Sequence, residues 1–117
     1  MTPQETNERL FEDAQNGKLY QAKAALAAGA DPNARDQWQR TPLHWAAANG
    51  HTELARLLIE KGADPTAMDK WQNTPLHWAA AKGHTDIVKL LEEAARDKPG
   101  HAGRVAKRRG NDEPQRG

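Results

Sequence analysis

Apolar positions in this chain form short helical stripes that return at a fixed interval. Leu54, Leu57 and Leu58 fall at i, i+3 and i+4, the spacing that lines one face of a helix. A stop follows: Gly62-Ala63-Asp64-Pro65 puts a glycine at the end of the stripe and a proline just after it. Upstream, Thr41 precedes Pro42, and proline disfavours helical backbone in the residue before it. Thr41 therefore suits an N-cap, where its hydroxyl accepts from an orphan N–H, and Pro42 suits the first helical position. The short helix begun there ends at Gly50. The pattern predicts helix, tight turn, helix, loop.

The whole pattern recurs. Trp38, Thr41, His44 and Gly50 have counterparts at Trp71, Thr74, His77 and Gly83, each 33 residues on. At the same offset Gly17, Gly29, Ala30, Asp31 and Pro32 match Gly50, Gly62, Ala63, Asp64 and Pro65, and Leu10 and Ala14 match Leu43 and Ala47. Three units result, at about 5–35, 36–68 and 69–96. Self-similarity at such a period signals a stacked repeat, and three units are about the minimum that buries a continuous core. In a solenoid, activity usually lies in a surface rather than a pocket.

The end units depart from the middle one. The first has polar Glu8-Arg9-Leu10-Phe11-Glu12 where Thr-Pro-Leu-His-Trp would stand, which suits a terminal cap with a water-facing side. It carries Ala22, Ala24 and Ala25 against Ala55, Leu57 and Leu58, so the N-terminal unit is expected to fray first in amide exchange. The third unit lacks the Gly-Ala-Asp-Pro stop, which predicts a last helix running to about Ala95.

Composition narrows the function classes. The 117 residues suffice for one small domain, and without cysteine neither a disulfide framework nor a thiolate metal site is possible. No apolar run approaches the roughly 20 residues of a membrane span. The start, Met1 to Gln15, is polar and has no hydrophobic stretch of a secretory signal, so a cytoplasmic protein is the default expectation. Net charge is +1 but uneven: residues 1–96 hold 11 Lys/Arg against 13 Asp/Glu, and residues 97–117 hold 6 against 3. This basic tail, rich in Gly and Pro, is expected to be disordered and flexible. Its Arg104-to-Arg109 cluster supports an alternative reading, an accessory binder of nucleic acid or an anionic surface. No aromatic is interleaved there for base stacking.

Thr-Pro-Leu-His-Trp-Ala-Ala-x-x-Gly-His, then Leu-Leu-x-x-Gly-Ala-Asp-Pro, at a period of 33, closely resembles the ankyrin repeat, over Glu5 to Arg96. The resemblance implies an all-α solenoid of three helix-turn-helix units with short β-hairpin fingers at the junctions. It implies a monomeric, non-catalytic module that binds a protein partner through fingertips and concave helix face, with no cofactor. One departure stands out. The family commonly has Gly at the finger turn, where this chain has Gln39 and Gln72. A turn that needs positive φ would strain Gln where Gly is free.

Candidate chemistry is sparse. His44 and His77 invite a metal, but stacked repeats lie about 10 Å apart, too far for one ion to bridge them. The resemblance gives them local and inter-repeat hydrogen bonds, and His51 and His84 a structural place in the turn between helices. There is no G-x-S-x-G, P-loop, G-x-G-x-x-G or H-E-x-x-H, so no catalytic residue is assigned. Asp31, Asp36, Asp64 and Asp69 read as turn-capping acids.

The tryptophans are more informative. Trp45 and Trp78 fall in the first helix of their units and read as inter-repeat packing. Trp38 and Trp71 fall in the fingers, where exposed aromatics make binding hot spots. Alternatively they stack on each other and on neighbouring cationic stems. The two near-identical units differ where Gln37 becomes Lys70, Arg40 becomes Asn73 and Asn49 becomes Lys82. The expected binding surface is Gln37, Trp38, Arg40, Ala48, Asn49, Lys70, Trp71, Asn73, Ala81 and Lys82. It predicts a neutral to mildly basic groove for a partner of acidic or polar character.

Overall fold

Threonine-proline steps start three of the six helices found in the described residues of a computed structural model. These residues are 2–96; the tail 97–117, and the expectations attached to it, lie outside them. The helices are α1 (Pro3–Asn16), α2 (Leu19–Ala27), α3 (Pro42–Ala48), α4 (Thr52–Glu60), α5 (Pro75–Ala81) and α6 (Thr85–Arg96). α6 outruns α4 and passes the expected stop near Ala95 by one residue.

At α3 the Thr41 hydroxyl accepts from the His44 N–H, while His44 Nδ1 accepts from the Thr41 N–H at 3.0 Å. The reciprocal pair satisfies two orphan donors at once. Thr74 and His77 repeat it at α5. Since Nδ1 of His44 accepts, Nε2 carries the proton and donates to the Asn73 carbonyl of the next unit at 2.8 Å. His44 thus caps its own helix and fastens the neighbouring finger.

α1, α3 and α5 pack side by side in one row, and α2, α4 and α6 in a second. Leu10, Leu43, Leu54, Leu58, Ile87 and Leu91 fill the space between them and are almost wholly buried. Each contributes about 1.5–3 kcal/mol of burial. The joints are also keyed by glycine. Gly50 ends α3's turn at φ 76°, and a Cβ there would lie 2.9 Å from the His84 ring of the next unit. Gly17 stands in the same relation to His51, at 2.7 Å.

Two features depart from expectation. First, no strand is present among the described residues, so the fingers are not β-hairpins with a ladder. Each is a tight turn: the Gln39 N–H donates to the Asp36 carbonyl at 3.0 Å and the Asp36 N–H to the Arg40 carbonyl at 2.9 Å. Asp69, Gln72 and Asn73 repeat the arrangement. Gln39 and Gln72 do take left-handed backbone, at φ 64° and 66°. One closing bond per finger is too little pairing for a strand. Second, α1 begins six positions before α3's equivalent, because Thr2, Pro3 and Glu5 form their own capping box. Residues 3–8, which align with the finger at the 33-residue offset, are helical instead.

Candidate functional site

Asp36 organises the first finger. Its Oδ1 accepts from the Trp38 and Arg40 N–H groups, both at 2.9 Å, and its Oδ2 accepts from the Trp45 indole N–H at 3.0 Å. Asp69 does the same for Trp71, Asn73 and Trp78. One carboxylate therefore fixes a finger tryptophan and a helix tryptophan relative to each other. The two fingers are joined by the Lys70 N–H donating to the Trp38 carbonyl at 2.9 Å. Arg35 supports the strained turn, donating to the Gln39 and Met68 carbonyls at 3.0 and 2.7 Å.

Between the two fingers sits Arg40. Its guanidinium carbon lies 5.4, 5.2, 5.3 and 4.8 Å from the ring centroids of Trp38, Trp45, Trp71 and Trp78. All four tryptophans of the chain thus surround one cation. Arginine suits this place because its planar, weakly hydrated head stacks on aromatic faces. Its Nε approaches Asp69 Oδ2 at 3.9 Å, an ion pair too long for a hydrogen bond. Among the described residues Nε has no hydrogen-bond partner. The Asp69 side chain is wholly buried. Burial alone would raise its pKa, but the N–H donors of Asn73, Trp78 and Trp71 outweigh it and hold the carboxyl below its ordinary value.

Arg40 is therefore an internal residue, with only 19 % of its side chain exposed, rather than a free partner contact. The finger tryptophans both pack on a cation and remain accessible: Trp38 is 37 % exposed and Trp71 53 %. Gln37 and Lys70 are exposed, and Asn73 is half-buried, with its carbonyl held by His44. The other expected surface positions lie at the far ends of α3 and α5. Ala81 and Lys82 are exposed, Ala48 is half-buried, and Asn49 donates to the Gln15 carbonyl at 3.1 Å. A seven-residue helix puts about 10 Å between these two sets. They form a strip, not one pocket.

A groove of about 1170 Å³ opens beside this strip, between α1 and the first finger. Only Gln37 and Trp38 of the expected residues line it. Trp45, Phe11 and the exposed face of α1 supply much of the rest. Its wall carries five carboxylates, Glu5, Glu8, Glu12, Asp31 and Asp36, against Arg9 and Arg35. This groove is acidic, and it is distinct from the expected neutral to mildly basic one, most of whose residues lie elsewhere. Its acids come largely from α1: the extra helical turns, which were not expected from the sequence, bring them alongside the finger. Burial and neighbouring Glu12 push the Asp13 carboxyl up, as they do in an acid-rich region.

Stacked helix pairs, Thr-Pro caps at a 33-residue spacing and fingers between units define the architecture, and the profile of the family described as ankyrin repeats (3 copies) matches residues 10–99. The chain belongs to the ankyrin-repeat family. Among curated proteins no match to it was found. Ankyrin repeats are generally protein–protein interaction modules. In this ankyrin domain His44, His77, His51 and His84 all have structural bonds: His51 Nε2 meets the Gln15 carbonyl at 3.1 Å and His84 Nε2 the Ala48 carbonyl at 3.2 Å. None of the six helices is long and apolar enough to cross a membrane.

Proposed function

We propose that this ankyrin domain acts without catalysis, binding a protein partner along its finger side. The supporting observation is the continuity of that side. Two exposed tryptophans, Trp38 and Trp71, are stiffened by a shared guanidinium, and Trp38 lines an open groove about 1170 Å³ in volume. Rigid aromatics lose little side-chain freedom on binding, so their contact area converts efficiently into affinity. Gln37 and Lys70 at the fingertips provide the polar rim.

Site-specific photo-crosslinking in the protein's own cells tests this reading. Benzoylphenylalanine in place of Gln37 or Lys70 is expected to give a discrete protein adduct. The same group in place of Arg56, exposed on α4 in the second row, is expected to give none. Adducts from the Arg56 position alone would overturn the assignment of the face.

A further inference from the structure

At the 33-residue offset Glu5 corresponds to Trp38, Asn7 to Arg40 and Glu12 to Trp45. The first unit therefore has neither tryptophan nor arginine where the later units build their cage. Trp38 and Trp45 border the Arg40 slot toward the third unit, and they also line the groove toward the first. On the Arg40 side these rings are paired with a second aromatic pair and with Asp69. On the groove side Glu5, Glu8 and Glu12 face the same cavity, and the position matching Arg40 holds Asn7. Asn7 is itself engaged, accepting from the Asp31 N–H at 2.7 Å.

The cavity thus repeats the chemistry of the Arg40 site, aromatic rings and carboxylate, but among the described residues neither Arg9 nor Arg35 of its wall stacks on those rings. We infer that the groove takes an arginine side chain from an extended basic segment of the partner protein, laid against Trp38 and Trp45 with Glu8 and Glu12 as its counter-charges. This rests on the finger-side binding proposed above and specifies its partner. The molecule itself shows the fit: the same two rings already hold a guanidinium 5.4 and 5.2 Å from their centroids. Glu8 and Glu12 are exposed, and neither makes an ion pair within 4.0 Å among the described residues. Asp36 and Arg35 are occupied in holding the finger, and Glu5 accepts from the Thr2 N–H at 2.8 Å. A partner's guanidinium therefore meets Glu8 and Glu12 without breaking a structural bond. Arg9, on the same helix, does not reverse the sign of the wall.

The test uses the full chain and a library of acetylated decapeptides with randomised flanks. The central residue is fixed as Arg, citrulline, Lys or Glu. Arginine peptides are expected to be enriched. Replacing that arginine by citrulline, which keeps the shape and removes the charge, is expected to weaken binding at least about tenfold. In the protein, Glu8→Gln with Glu12→Gln is expected to weaken it by a similar factor and flatten its salt dependence, at unchanged melting temperature. The indole N–H signals of Trp38 and Trp45 are expected to shift on titration, and that of Trp78 to stay. Enrichment of glutamate peptides that shift the same two indoles would sink the arginine assignment and leave the binding face intact. Peptides that move none of the indoles would remove both. A full chain with Arg104, Lys107, Arg108 and Arg109 changed to Gln is expected to bind as the wild type does. A gain in affinity there would mean that the chain's own tail competes for the groove, and would overturn the partner assignment.

Discussion

Replacing Arg40 by Met keeps most of the aliphatic stem and removes the charge. A cation on an aromatic ring contributes about 0.5–1 kcal/mol when exposed and about 2 when desolvated. Four rings share this one guanidinium, whose side chain is 19 % exposed, so the lower range applied to each gives about 2–4 kcal/mol gross. Against this stands the unbonded Nε, which costs about 1–3 kcal/mol and which Met relieves. Those terms nearly cancel, and Asp69 decides the sign. Its side chain has no solvent exposure, and removing the facing cation leaves it a buried charge. Breaking a buried pair in this way costs about 3–5 kcal/mol. Three retained N–H donors reduce that figure. The expected loss for Arg40→Met is about 2 kcal/mol, or about 8–16 °C in Tm for a domain of this size. Arg40→Ala is expected to lose about 1–2 kcal/mol more with the stem. Urea unfolding followed by tryptophan fluorescence and far-UV circular dichroism measures both. An Arg40→Met variant within about 0.5 kcal/mol of wild type, the range of an inert surface change, would refute the cation's role and leave only its stem.

Three further outcomes follow from the joints and turns. Gly50→Ala and Gly83→Ala impose the same left-handed strain, at φ 76° and 77°, but among the described residues only the Gly50 Cβ would strike a histidine ring, so Gly50→Ala should lose about 1–3 kcal/mol more in urea unfolding. Equal losses would mean that the joint is not keyed. Burial lowers the His44 pKa from its ordinary 6.5 and so disfavours the charged ring in the folded state. The unfolded chain then takes up the proton first, so stability is full above about 6.5 and declines as pH falls toward the folded-state pKa. Thermal melts of His44→Gln should show a flatter slope across that window than the wild type; parallel curves would contradict it. Gln39→Gly and Gln72→Gly should each raise stability by about 0.5–1 kcal/mol by relieving left-handed backbone, and a loss in denaturant midpoint would show that the glutamine side chain contributes more than the strain costs.

The repeat and its caps were legible because they are local chemistry. Thr41-Pro42 and Gly50 specify the ends of a helix wherever it is placed, and the offset of 33 repeats them. The left-handed glutamines were legible as a conflict between a turn and its residue. The environment of Arg40 was not. It depends on two fingers and two helices meeting across a joint, so four tryptophans spread over residues 38–78 converge on one atom group. Read along the chain, Arg40 is a polar finger residue that differs between copies, and that pattern points outward. The groove was half-legible. Glu5 and Glu12 stand at tryptophan-equivalent positions, which the alignment of units contains. That they share a cavity with Trp38 depends on α1 starting at Pro3, and the Thr2-Pro3-x-Glu5 signal for that start begins before the first unit at Glu5. The fingers lack strands for an energetic reason: a single closing bond and an aspartate anchor fix them, with no neighbouring strand to extend the pairing.

The glycine–histidine joints have a direction. The earlier unit supplies the hollow, at Gly17 or Gly50, and the later one the ring that enters it, at His51 or His84. A middle unit therefore carries one half of each joint type, a ring toward its predecessor and a hollow toward its successor. Duplicating residues 36–68 in place would give a longer chain in which every new seam finds its complement, including an additional arginine facing Trp71 and Trp78 from the inserted copy. Among the described residues Gly83 has nothing within 4 Å of its hollow, whereas Lys18 stands where a first-unit ring would be. The domain is modular with a polarity, and copying its centre lengthens it without redesigning either end.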